Sequence, residues 1–186
     1  MKHLVITCFL VFLGACSAPS FVSDAQPVPF TSTTPDRFEL PARFALARAV
    51  YGRTRAAGVE EAQLWADLAN RTESLGSFAP LVVADSSYGY SSMKNLVEAA
   101  RAQGYNYLLS VRMFPGTGSA DVSLLHVGSG GVMATARAVS ASGGQHGFWG
   151  GQIRNPARLE RATLKIAQAT APIVEEMLRG AARRQK

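Results

Sequence analysis

The chain has 186 residues, 47% hydrophobic and 17% charged, which fits one globular domain with extensions and excludes disorder throughout. Lys and Arg outnumber Asp and Glu 19 to 13, yet no block of five or six like charges occurs; this disfavours a nucleic-acid partner and fits a solvated surface whose basic tail can touch anionic lipid or glycan. The only two cysteines, Cys8 and Cys16, lie near the start of the chain, so the folded part has neither a disulfide framework nor a cysteine zinc site.

Met1-Lys2-His3 gives a positive start, and Leu4 to Leu13 follows without a charge, the n-region and h-region of a signal peptide over residues 1–15. Ten such residues are too few for a permanent membrane helix, which needs about 20. Leu13-Gly14-Ala15-Cys16 then resembles the lipobox of bacterial lipoproteins, in which the cysteine thiol carries the diacylglyceryl group. Several acyl chains at one terminus give durable anchoring, whereas a single chain is marginal. The resemblance implies lipidation at Cys16, and Ser17 rather than Asp after it implies the outer membrane, with the periplasmic side expected rather than the cell surface. Ordinary secretion with cleavage after Ala18 is the alternative. Residues 16–41 are rich in Pro, Ser and Thr, with Pro19, Pro27, Pro29, Pro35 and Pro41 opposing both helix and sheet, and read as a tether.

The globular domain is expected over 42–180, with a basic tail at 181–186. Arg43 to Tyr51 reads as a central strand buried on both faces. From Val59 the chain places Ala62, Trp65, Leu68 and Ala69 at helical spacing, with Gly76 as the stop and the adjacent Glu60 and Glu61 as solvated ends. Leu81 to Ala84 reads as a second strand, and the loop after it carries Tyr88 and Tyr90. Ser91 or Ser92 caps a helix with the stripe Met93, Leu96, Val97, Ala100, ended by Gly104. Tyr107 to Met113 is a third strand; Asp121 to Val127 and Val132 to Val139 form a hairpin around Gly128-Ser129-Gly130-Gly131. That glycine run lacks the Lys-Ser/Thr ending of a phosphate loop and precedes a strand, not a helix. After a glycine-rich loop at 143–151 a final helix carries Leu159, Ala162, Ile166, Ala169, Ile173 and Met177, with Pro156 near its start and a kink expected at Pro172. The fold class is therefore α/β, a single mixed sheet of about five strands with helices packed on it, ordered β-α-β-α-β-β-β-α.

Three phrases, Leu40 to Ala45, Ala99 to Leu109 and Ser129 to Ala136, resemble periplasmic lipoprotein domains of the CsgG, LpoB and PelC type and the TolB N-terminal domain. The resemblance implies an anticodon-binding-domain-like fold and work in curli secretion, activation of peptidoglycan synthases or exopolysaccharide export. It implies an envelope protein partner and is compatible with a homo-oligomer. The chain has no long amphipathic insert between strands of the kind that builds a transmembrane pore.

No nucleophile elbow, His-Glu-x-x-His helix, Walker loop or dinucleotide fingerprint is present, and His126 and His146 have no companion at metal-ligand spacing. No catalytic residue, metal or cofactor is expected, and His126 reads as a half-buried strand residue. Phe148 and Trp149, two large aromatics in a glycine-rich loop, are candidates for contact with a membrane or a partner's pocket, or else for a cap on the sheet. Tyr88 and Tyr90 are candidates for contact with a partner or a glycan. The function expected is a non-enzymatic adaptor or oligomeric subunit in envelope assembly, secretion or polysaccharide export; a glycan- or peptidoglycan-binding module, or a cell-wall synthase activator, is the alternative.

Overall fold

The computed structural model describes residues 41–50, 57–80, 92–140 and 155–183. Five strands, β1 (Ala42–Val50), β2 (Gly76–Pro80), β3 (Tyr107–Phe114), β4 (Ser119–His126) and β5 (Val132–Val139), form one sheet ordered β2-β1-β3-β4-β5. β1 pairs in parallel with β2 and β3, and β3, β4 and β5 are an antiparallel meander. The expected mixed α/β sheet and its element order are therefore present.

Crossover handedness decides the layering. A parallel connection is right-handed in nearly all sheets. Helix α1 (Val59–Arg71) carries the chain from β1 outward to β2, whereas α2 (Met93–Ala102) carries it back past β1 to β3. Opposite directions of travel with one hand put the two helices on opposite faces. Two separate cores result. On one face Trp65 and Leu68 of α1, and Ile166, Val174 and Leu178 of α3 (Pro156–Arg183), pack on Phe44, Leu109, Val111 and Leu124. On the other, Val97 and Ala100 of α2 cover Ala45, Ala47, Leu108 and Leu125. Burial on both faces is why β1 and β3 read as near-continuous apolar runs.

The second strand includes residues ahead of those expected. It occupies Gly76–Pro80, and Leu81 to Ala84 lie outside the described residues. α1 ends at Arg71, a 3-10 turn covers Glu73–Leu75, and Gly76, expected to be a helix stop, opens the strand beside Ala42. Gly76 has φ +143°, and a Cβ there would fall 1.9 Å from the Ala42 carbonyl oxygen, so only glycine permits this approach. Phe78 then stacks on Phe44 with ring centroids 4.8 Å apart.

α2 and α3 follow their patterns more closely. Ser92 is the cap of α2, its hydroxyl accepting from the Asn95 N–H at 3.2 Å, and Gly104 at φ +73° takes the left-handed position after its end. Asn155 caps α3, its Oδ1 accepting from the Ala157 and Arg158 N–H groups at 3.0 and 3.3 Å, with Pro156 in the first position. Pro172 lies inside one continuous helix rather than dividing it. The carbonyl that loses its donor there belongs to Gln168, and both residues are exposed, so water can supply the missing bond.

Candidate functional site

Strand direction fixes where loops can act. β1, β2, β3 and β5 all point the same way, so segments 51–56, 81–91 and 141–154 each begin just after the carboxyl end of a strand on one side of the sheet. α1, α2 and α3 also start on that side, since each runs back from it. The strand order reverses between β1 and β3, the switch point outside which ligands bind in open α/β sheets. The pole holds Phe114 and Val139, both half-buried, and Val59, which is 86% exposed at the first position of α1.

Tyr88 and Tyr90, and Phe148 and Trp149, lie outside the described residues. Their flanking strands are the two edges of the sheet, β2 and β5, four strand spacings apart, about 19 Å. The topology therefore starts both aromatic segments from one pole but from opposite edges. Cys16 also lies outside the described residues; its segment leads into β1 at the opposite, amino pole of the sheet.

Just beneath the carboxyl pole is a polar knot that sequence reasoning missed. Arg48 of β1 points into the α1 face, where its Nε donates to Glu61 Oε1 and its Nη2 to Glu61 Oε2 at 2.5 Å. The Trp65 indole N–H donates to the same Oε1 at 3.1 Å. The Glu61 side chain is 2% exposed and that of Arg48 12%. Glu61 is thus no solvated helix end: it lies one turn before Trp65 on the buried stripe, and Ala62, expected on that stripe, is exposed. A planar guanidinium fork meeting both carboxylate oxygens satisfies a charge pair that burial would otherwise disfavour. The signal was available in the i, i+4 spacing of Glu61 and Trp65 and in an arginine within an apolar strand. The pair brackets residues 49–60, so it fixes both ends of the connection emerging at the switch point.

Other ionisable groups are at the amino pole, on helix surfaces or, as Arg112, Asp121 and Arg137, on the sheet face opposite α3. Arg71 and Arg179 each donate to Glu175, Nε to Oε2 and Nε to Oε1, both at 3.0 Å, and these hydrogen bonds, that of Arg71 foremost, hold the Glu175 carboxyl below the usual carboxylate range. Arg179 also donates to the Arg71 carbonyl at 3.0 Å, tying the end of α1 to α3. His126 is half-buried in β4 as expected; its Nδ1 lies 3.0 Å from the Ser129 hydroxyl and accepts the Ser129 N–H at 3.2 Å, so it shapes the hairpin turn. Among the described residues no group of three His, Cys, Asp or Glu could hold a metal ion. What the described residues offer is a sheet platform from whose carboxyl pole three segments of the chain depart.

No family model matches the chain, and no curated protein is similar to it in sequence. Among solved structures it is similar to the PelC dodecamer from Paraburkholderia phytofirmans, at 20% identity, TM-score 0.39, covering 81% of this chain and 96% of that one. It is also similar to the LpoB C-terminal domain from Salmonella enterica, at 13% identity, TM-score 0.36, covering 52% of this chain and 79% of that one. With TM-scores below 0.5, these likenesses assign neither family nor activity.

Proposed function

We propose that this chain is a lipoprotein of the outer membrane, moored through Cys16 on the periplasmic side, and that its α/β domain acts without catalysis as an adaptor or oligomeric subunit in envelope assembly, secretion or polysaccharide export. The observation that carries this reading is the leader ending in Leu13-Gly14-Ala15-Cys16 followed by a proline-rich tether. Sheet direction supports a division of labour. The tether leads into the amino end of β1, and the segments holding Tyr88, Tyr90, Phe148 and Trp149 begin at the carboxyl end, so anchoring and contact fall at opposite poles. A tether of about 25 residues, up to roughly 3.1 Å each when extended, lets the domain stand clear of the bilayer and meet a partner. Phe148 and Trp149 are the proposed anchors of that contact, since large aromatics carry much of the energy at interfaces.

Labelling with radioactive palmitate in a bacterial host tests the anchor: label should be incorporated by the parent and lost in Cys16→Ala. Crosslinking in the same cells tests the partner. A protein that takes up no label and is recovered entirely in the soluble fraction would refute this reading.

A further inference from the structure

The two edges of the sheet are treated differently. Among the described residues β2 spans Gly76–Pro80 and includes Pro80, which has no N–H to offer a further strand. β5 is eight residues, VMATARAV, without proline, glycine or lysine. Among the described residues no strand lies beyond it, and the hydrogen bonds of Val132–Val139 run inward to β4. In an antiparallel strand alternate residues turn both backbone groups outward, so about four of the eight present a free N–H and C=O pair. The strand is held rigid from behind, with Met133, Ala136 and Ala138 buried against α3 and its neighbours. A long unpaired edge on a fixed support is a template for one more strand.

Side chains along the edge indicate what that strand carries. Arg112, Asp121 and Arg137 form one cross-strand row on the face opposite α3, each directly opposite the next. Arg137 ends the row at the open edge; its side chain is 60% exposed, and its ion pair with Asp121 spans 3.7 Å. The next position in this plus-minus-plus row favours a carboxylate, because opposite charges directly across a ladder attract and like charges repel. On the α3 side the edge shows Ala134, Ala136 and Ala138, which suit small apolar neighbours. A second copy pairing β5 with β5 in a register centred on Arg137 would bring two guanidinium groups together on one face. The charge pattern therefore favours a different chain.

We infer that the β5 edge binds an extended peptide segment of a partner protein by strand addition, with an acidic side chain beside Arg137 and small apolar residues toward α3. This goes beyond the anchoring reading and holds whether or not Cys16 carries lipid.

The test uses the full chain in detergent and a capped ten-residue peptide alternating valine and threonine, with one central threonine replaced by glutamate, and a twin carrying lysine there. Backbone amide shifts and hydrogen exchange report where it binds. The glutamate peptide should perturb and protect Val132–Val139, a copy N-methylated at alternate residues should not bind, and the lysine twin should bind up to about fivefold more weakly, the scale of one cross-strand charge pair. Arg137→Glu, an exposed change that leaves the core intact, should invert that preference. Absence of binding at millimolar peptide, perturbation confined to other elements, or equal affinity of the two peptides would overturn the inference. So would a free chain that is already dimeric with Val132–Val139 protected.

Discussion

Removing the Glu61 carboxylate should be among the most damaging single changes in the domain. In Glu61→Ala the Arg48 guanidinium, 12% exposed, loses both of its hydrogen bonds to the carboxylate, and the Trp65 indole loses its acceptor. Breaking a buried pair from one side costs about 3–5 kcal/mol, against a total stability of about 5–15 kcal/mol for a domain of ordinary size. With a urea dependence near 1.5–2 kcal/mol per molar, the unfolding midpoint should fall by about 2 M. Replacing both partners, Arg48→Met with Glu61→Leu, removes the buried charges together; the indole N–H is left unpaired, at about 1–3 kcal/mol, partly offset by the desolvation no longer required. The double variant should therefore unfold at higher urea than Glu61→Ala. Urea titrations followed by tryptophan fluorescence and by circular dichroism decide the matter. A single variant shifted by less than about 0.5 M, or a double variant weaker than the single, would refute the buried-pair account.

Gly76→Ala should destabilise by about 2–3 kcal/mol, read as a lowered melting temperature, because φ +143° and the Ala42 carbonyl both oppose a Cβ. Glu175→Gln should cost under about 1 kcal/mol at neutral pH, as its partners are half-exposed. Since the folded-state pKa of Glu175 is lowered, its contribution is present above the ordinary carboxylate pKa and is lost as pH falls through the folded value; parent and variant should therefore converge in acid unfolding curves. If Tyr88 and Tyr90 stack on glycan, sedimentation with purified sacculi should carry the parent down and leave Tyr88→Ala with Tyr90→Ala in the supernatant. Equal sedimentation of both would remove the glycan role.

The sequence disclosed those elements whose local pattern and tertiary environment agree. β1, β3 and β5 are apolar runs because both faces or one whole face are covered, and α2 carries a clean stripe between Ser92 and Gly104. β2 escaped because Gly-Ser-Phe-Ala-Pro has no strand composition. It pairs on one side only, and what places it is a backbone approach to Ala42 that a propensity argument does not see. Glu61 escaped for a related reason: a carboxylate counts as polar in any periodicity, and only Arg48, 13 residues earlier on another element, makes its burial tolerable. The aromatic candidates lie outside the described residues, and strand direction adds only that their segments leave from one pole.

The position of β1 between β2 and β3 has a consequence for how the polypeptide acquires its structure. Arg43 meets Asn106 at a sequence separation of 63, just beside the Phe44–Tyr107 pair, whereas β3, β4 and β5 are joined by short turns. Closing the long loop costs more entropy than closing the turns, so the C-terminal meander forms ahead of the central strand. Until the meander exists, β1, the first strand in the chain, has no template, and it must be kept from wrong pairings in the meantime.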